Sequence, residues 1–430
     1  MRILMFGWEF PPHVSGGLGT ACFGLTKALV GRGHKIYFVI PGLPGEAPLS
    51  HVDLISAQAI PGRGRDIGAV DIFCGLDIRL INSTLRPYLD EGAYERSQQL
   101  HFDRHAYEKD GTVREGLRVL GASWPYGPNL IAEVMRYARA AGVIAKDHFF
   151  DVIHAHDWMT VFAGIYAREV SGKPLVLQIH SLEFDRSGEH VNQDIYYLER
   201  YGMVLCDHVI AVSSYTKNLI IKHYGIDPDK ISVVHNAVSR DEAPPVYHRE
   251  KDSDKKIVLF LGRITFQKGP DYFVEAAARV LKEFPQVTFV MAGAGDMMPP
   301  VIERVAELHI GKNFHFTGFL QEAEVERIFS MSDVYVMPSV SEPFGISSLE
   351  AAIYDVPVIM SRQSGAAEIL DHVLKVDFWD VDEIANKIMA ILRHPSLTAE
   401  IVERSREQLR SIHWEKAAEK IAHIYRLVLH

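Results

Sequence analysis

From end to end the chain alternates short apolar runs with amphipathic helical patterns, in two series separated by one polar break. A strand covered by helices on both faces shows no polar alternation, so such runs read as parallel strands joined by crossover helices. In the first series the strand candidates are 2–6, 35–40, 151–154, 174–179, 208–212 and 231–234, with helical patterns at 18–32, 131–141, 159–169 and 215–223. The break, 239–256 (SRDEAPPVYHREKDSDKK), carries two prolines and no apolar period and reads as a linker. Behind it the alternation restarts, with strands at 257–261, 287–291, 314–317, 334–337 and 356–360 and helices at 272–282, 300–308, 324–330 and around 347–354. The expected fold class is α/β, with two doubly wound, Rossmann-like lobes and a ligand cleft between them at the carboxyl ends of their strands. At 430 residues the chain is also longer than one core usually grows.

The lobes are expected at 1–240 and 257–410, joined by a linker at 241–256, and the amphipathic stretch from Trp414 onward closes the chain as a helix over 411–430. Residues 85–128 mix charges and aromatics without a period and read as an insertion, a candidate for acceptor binding. No short repeat is visible, which argues against a solenoid. With 47% hydrophobic and 23% charged residues the composition is that of a folded protein with substantial cores. A net charge of −10 gives no footprint for nucleic acid, so positive charge at a phosphate must be local. Cys22, Cys74 and Cys206 are widely spaced and form no metal-type pair, which suits core thiols in a reducing compartment. The opening apolar run is too short for a signal peptide, and no stretch approaches the roughly 20 apolar residues that span a bilayer. The expectation is a soluble, cytoplasmic protein with at most peripheral membrane docking; the oligomeric state is open.

Four segments carry candidate chemistry. The loop from Trp8 to Gly19 joins a strand to a helix, and Gly16 and Gly17 there would let backbone N–H groups approach an anion such as a pyrophosphate. It is not a G-x-G-x-x-G fingerprint, and any tight strand-to-helix turn can be glycine-rich. Next, His154-Ala155-His156-Asp157-Trp158 ends one strand and His180 ends the following one, so Asp157 and His180 point into one crevice. Their spacing does not suit a zinc site on a single helix, and no metal is expected. In the second lobe, Arg263 and Lys268 lie five residues apart on the loop after the first strand, where a guanidinium fork and an ammonium point charge suit a diphosphate. Finally, Pro343 biases Glu342 to an extended conformation in a loop, while Gly345, Ile346 and Ser347 open a helix that carries Glu350. That motif offers one carboxylate for sugar hydroxyls, amides for phosphate and a second carboxylate for ribose.

At these residues the sequence resembles the retaining glycosyltransferases of the GT-B fold, in the broad family-four group and its glycogen and starch synthase relatives. The resemblance runs through the glycine loop, His-Ala-His-Asp-Trp, Gly-Arg with Gln-Lys-Gly, and Glu-x7-Glu, and covers nearly the whole chain. It implies a nucleotide-diphosphate sugar, UDP- or ADP-glucose, held mainly by the C-terminal lobe, a carbohydrate acceptor held by the N-terminal lobe, and a final helix crossing back to the first lobe. Carried over by position, Gly17 would donate its amide near the diphosphate, Arg263 and Lys268 would neutralise it, and Glu350 would hold the ribose. Glu342 would hold sugar hydroxyls, His180 would contact the sugar near the reacting carbon, and Asp157 would orient sugar or acceptor hydroxyls. No separate cofactor is implied, and the leaving phosphate itself would take the acceptor proton. One position departs from the glycogen synthase pattern: Ser15 stands where the K-x-G-G-L loop has lysine.

The leading expectation is a hexosyl, most simply glucosyl, transfer onto an α-glucan. Other family-four reactions giving a disaccharide, a sugar phosphate or a glycolipid come second. From other classes, a sugar-nucleotide epimerase shares the two-lobed architecture, and a carbohydrate-binding protein without catalysis is a further alternative.

Overall fold

The computed structural model describes residues 1–11, 16–42, 51–57, 130–238 and 256–429. The insertion expected at 85–128, all but the last residue of the 239–256 linker, Ser15 and Cys74 lie outside them.

The N-terminal lobe strings together β1 (Arg2–Phe6), α1 (Gly17–Gly31), β2 (Lys35–Ile40), β3 (Asp53–Ser56), α2 (Leu130–Asp147), β4 (Val152–His156), α3 (Val161–Ser171), β5 (Leu175–Ile179), α4 (Glu183–Ser187), α5 (Gln193–Leu205), β6 (His208–Ala211), α6 (Ser214–Leu219) and β7 (Ile231–Val233). The strands form one parallel sheet in the order β3-β2-β1-β4-β5-β6-β7. Every residue of β4 and β5 is buried, as the unbroken apolar runs require of strands covered on both faces.

The second lobe repeats the plan with β8 (Ile257–Leu261), α7 (Pro270–Glu283), β9 (Thr288–Ala292), α8 (Met298–Glu307), β10 (Phe314–Gly318), α9 (Glu322–Met331), β11 (Val334–Met337), α10 (Ile346–Ile353), β12 (Val358–Ser361), β13 (Leu374–Val376), α11 (Val381–Arg393) and α12 (Pro395–Leu409). Its parallel sheet runs β10-β9-β8-β11-β12-β13. Both sheets reverse their direction of growth once, between β1 and β4 and between β8 and β11, and at such a switch point the flanking crossovers diverge and leave a crevice at the strands' carboxyl ends. The four chemistry-bearing segments follow β1, β4 with β5, β8 and β11, so the topology puts each beside a switch point.

Helix α13 (Trp414–Leu429) returns to the first lobe, as expected of the closing helix. It docks on α1 where Gly24 leaves room: a Cβ there would sit 2.2 Å from Trp414 Nε1. One turn from its end, the Tyr425 hydroxyl lies 2.7 Å from His154 Nδ1 inside the N-terminal core. Strand β3, helices α4, α5, α11 and α12, and strand β13 are not among the sequence expectations. Among the described residues no helix is long and apolar enough to cross a membrane.

Candidate functional site

The loop after β8 folds onto the loop after β11. Gly269, at φ 65°, makes this approach possible, because a Cβ there would lie 2.2 Å from the Pro338 carbonyl oxygen. The Val340 N–H donates to the Gln267 carbonyl at 2.9 Å, and Arg263 Nη2 donates to Gln267 Oε1 at 3.3 Å. Lys268 Nζ then reaches Glu342 Oε2 at 2.5 Å, and Ser339 Oγ donates to the same oxygen at 3.0 Å. The ammonium side chain is 20% exposed and the carboxylate 6%, so this is a largely desolvated ion pair at the mouth of the switch point. Burial of that kind is tolerated when both charges are paired and hydrogen-bonded.

Helix α10 starts beside this pair. Its cap, Gly345, has φ 95°, and a Cβ on it would be 2.8 Å from Met337 Cε and 3.0 Å from Glu342 Cγ. Ile346 opens the helix, the Ser347 hydroxyl accepts from Tyr335 at 2.8 Å, and Glu350 sits about one turn further on, close enough to act on Tyr335 together with Glu342. Arg263, Lys268, Glu342, Gly345, Ile346, Ser347 and Glu350 therefore gather around one switch point.

On the facing lobe, Gly16 and Gly17 lie exposed where α1 begins, with Gly16 extended. Beneath them the Glu9 carboxylate accepts the Gly19 N–H at 3.2 Å. Asp157 is buried with φ 59° and ψ 175°, a conformation that only glycine adopts readily and that costs on the order of 1–3 kcal/mol. It is held there because its Oδ1 accepts the backbone N–H groups of His180 at 2.6 Å and Ser181 at 3.3 Å. Burial raises its pKa to about 7, against the lowering effect of those N–H donors. His156 stacks on His154 with ring centroids 4.3 Å apart, and its Nδ1 lies 3.0 Å from His180 Nε2. Burial lowers His154 and His180 to about 3 and His156 well below the ordinary range, so the trio is neutral at physiological pH. Cys22, read from the sequence as a core thiol, joins this cluster: one donor atom each from Cys22, His156 and His180 lie within 4.8 Å of one another.

The lobes meet next to Glu342. Ser341 Oγ donates to Asp185 Oδ1 at 2.5 Å and lies 2.9 Å from the Tyr215 hydroxyl, while Ser213 Oγ donates to the Pro343 carbonyl at 2.6 Å. Further along, the Glu368 carboxylate accepts the Ser214 and Tyr215 N–H groups at 2.9 and 2.6 Å. The carboxyl-end loop of β11 thus touches the carboxyl-end segments of β5 and β6, and the two crevices open toward each other. Nothing in the local sequence of Cys22, Asp185 or Glu368 announces these roles, because their partners lie far along the chain: Ser341 is 156 positions from Asp185, Ser214 is 154 positions from Glu368, and His156 and His180 are distant from Cys22.

Two family models match this chain: glycosyltransferase family 4 over residues 98–242, and glycosyl transferases group 1 over residues 247–408. An uncharacterized glycosyltransferase from Methanocaldococcus jannaschii is 27% identical over 100% of this chain and 99% of its own length. A glycogen synthase from Mycobacterium tuberculosis is 25% identical over 99% of this chain and 94% of its own. An alpha-maltose-1-phosphate synthase from Mycolicibacterium smegmatis is 30% identical over 64% of this chain and 79% of its own. Among solved structures, sucrose-phosphate synthase from Thermosynechococcus elongatus superposes with a TM-score of 0.71 at 18% identity, covering 99% of this chain and 98% of that one, and so shares the fold.

Proposed function

Because this chain belongs to the family-four, group 1 glycosyltransferases of the GT-B fold, we propose that it transfers a glucosyl group with retention from UDP- or ADP-glucose to a hydroxyl of an α-glucan. The observation that carries this reading is the desolvated Lys268–Glu342 pair beside Arg263 at one switch point, next to the interlobe contact that Ser341 makes with Asp185. In this reading Arg263 and Lys268 take the diphosphate, with the start of α1 at Gly16 and Gly17 supplying amides from the other side. Glu350 holds the ribose, the start of α10 at Gly345, Ile346 and Ser347 meets phosphate oxygens, and Glu342 holds sugar hydroxyls. Asp157 and His180 line the sugar.

The chemistry then needs no protein nucleophile. The bond from the anomeric carbon to the phosphate oxygen breaks, the acceptor oxygen bonds to that carbon on the same face, and the acceptor's proton passes to the departing phosphate. Fixed cations at the oxygens where negative charge develops lower that barrier without reorganising, and each such partner is worth roughly 10²–10³ in rate. A neutral His180 suits a role as hydrogen-bond partner rather than proton donor.

A second reading, transfer to a sugar phosphate, is favoured by the similarity to a maltose-1-phosphate synthase and by Ser15 in place of the glucan synthases' loop lysine. The test is a panel of UDP-, ADP- and GDP-sugars against glycogen, maltooligosaccharides and glucose 1-phosphate, with the product's anomeric configuration read by NMR. An α-linked product on glycogen is expected. Product on glucose 1-phosphate alone selects the second reading, an inverted linkage removes retention, and isomerised donor without acceptor would identify an epimerase.

A further inference from the structure

Cys22 on α1, His156 at the end of β4 and His180 just beyond β5 are distant in sequence, yet each brings one metal-ligating atom within 4.8 Å of the other two. We propose that these three side chains bind a soft divalent cation of the zinc class, leaving a fourth position toward the cleft, and that the bound cation blocks transfer by occupying His180. The blocking half rests on the reading that puts His180 at the donor sugar; the binding half does not.

Three observations carry the site. The donor set, one thiolate and two imidazoles, is one that zinc takes in four-coordinate sites with an open position. Zinc–sulfur and zinc–nitrogen bonds of about 2.3 and 2.0–2.1 Å place tetrahedral donors roughly 3.3–3.6 Å apart, so the trio needs to close by only about an ångström. Second, His156 Nε2 is fully buried and meets no hydrogen-bond partner among the described residues. A buried polar atom left unpaired in this way is costly, and a metal–ligand bond to that nitrogen would satisfy it. Third, Glu9 and Asp157 act on Cys22 from close by, so the surroundings of the cluster are anionic and hold a cation well.

Protonation fits the same picture. Both imidazoles are neutral and have a lone pair to give, while the Cys22 thiol, raised by burial and by those carboxylates, keeps its proton in the metal-free protein. Binding therefore converts thiol plus dication into metal thiolate plus one proton released to water. No oxidant or reductant takes part.

The experiment uses the chelator-treated full-length protein titrated with cobalt(II), followed by its cobalt–thiolate charge-transfer absorption. One cobalt per chain with that band is expected, and the band should vanish in both Cys22→Ser and Cys22→Ala. Zinc affinity should fall at least roughly 100-fold in both, since losing even a hydrogen-bond partner of a ligand costs roughly 10- to 100-fold. In the transfer assay, zinc should inhibit the parent reversibly with EDTA, while both Cys22 variants keep the parent's metal-free rate and lose the inhibition. No charge-transfer band, or a band that persists in both variants and so belongs to Cys74 or Cys206, overturns the site. If the cobalt band behaves as expected but zinc leaves transfer untouched, the site stands and the placement of His180 at the sugar falls.

Discussion

The two switch points solve the same problem in opposite ways. In the C-terminal lobe the site is made of charge: Lys268 and Glu342 form a nearly buried ion pair, Arg263 lies on the same loop, and the loops after β8 and β11 supply all three. In the N-terminal lobe the site is made of groups whose charge burial suppresses: three neutral histidines, and Asp157, only part-ionised near neutral pH because burial lifts it to about 7, in a strained backbone conformation. The charged half is suited to a diphosphate leaving group. The neutral half is suited to a sugar and an acceptor, where hydrogen bonds to hydroxyls orient without adding a competing charge. If that division of labour holds, variants on the two sides should fail differently.

The largest expected effect separates the halves directly. Glu342→Gln keeps a hydrogen-bonding partner for Lys268 but removes the carboxylate, and Lys268→Ala removes the cation; each should lower kcat roughly 10²–10³-fold. Lys268→Ala should also weaken binding of the free nucleoside diphosphate, because it subtracts a charge seen in ground and transition states alike. His180→Ala, by contrast, should lower kcat about 10²-fold and leave nucleotide affinity little changed. Steady-state kinetics and calorimetric titration with the nucleoside diphosphate read both quantities. Near-normal turnover in both C-terminal variants, or a pure affinity loss in His180→Ala, would break the comparison.

The same division explains what the sequence made legible. The strands of both lobes other than β3 and β13, the glycine loop, Arg263 with Lys268, and Glu342 with Glu350 are local signals, because a switch-point loop follows its strand immediately and carries its chemistry close by in sequence. Helix α13 is legible through its apolar face, while its return to the first lobe is what the resemblance implied. Asp185, Cys22 and Tyr425 were not: Asp185 matters because Ser341 on the other lobe meets it, and Tyr425 because its helix crosses back to His154. Helices α11 and α12 carry none of the site's motifs, but α11 was legible in principle, being strongly amphipathic with Ile384, Ala385 and Ile388 buried on one face. Strand β3 is a short edge strand with no fully buried residue, so its pattern carries little signal.

Asp185 is the point where the two regimes touch, and its acidity gives a pH test of intermediate size. Burial lifts it to about 6, partly opposed by the Ser341 hydroxyl, the Leu182 N–H and Arg186, and reinforced by Glu342. An unfolded aspartate has lost its proton well below that pH, so between roughly pH 4 and 6 the folded chain holds the extra proton. Folding then weakens as pH rises through this window, by at most about 3 kcal/mol from this group. Asp185→Asn cannot ionise and should lose that part of the slope. Melting temperatures measured across pH 4.5 to 7.5 should show the parent declining relative to the variant as pH rises, and parallel curves would remove Asp185 as a titrating contact between the lobes.

The smallest expected effect tests whether the neutral half depends on the closing helix. Tyr425 is fully buried and its hydroxyl is the partner of His154 Nδ1, one ring below the His156–His180 contact. Tyr425→Phe keeps the ring and its packing but leaves that nitrogen buried without the hydroxyl, at a cost of about 1–3 kcal/mol. The melting temperature should fall by on the order of 3–8 °C. Because His154 stacks on His156 rather than meeting the sugar, nucleotide affinity should hold while kcat declines modestly. An unchanged melting temperature would mean that His154 finds another partner, and that α13 closes the fold through Trp414 at Gly24 without supporting the histidines at all.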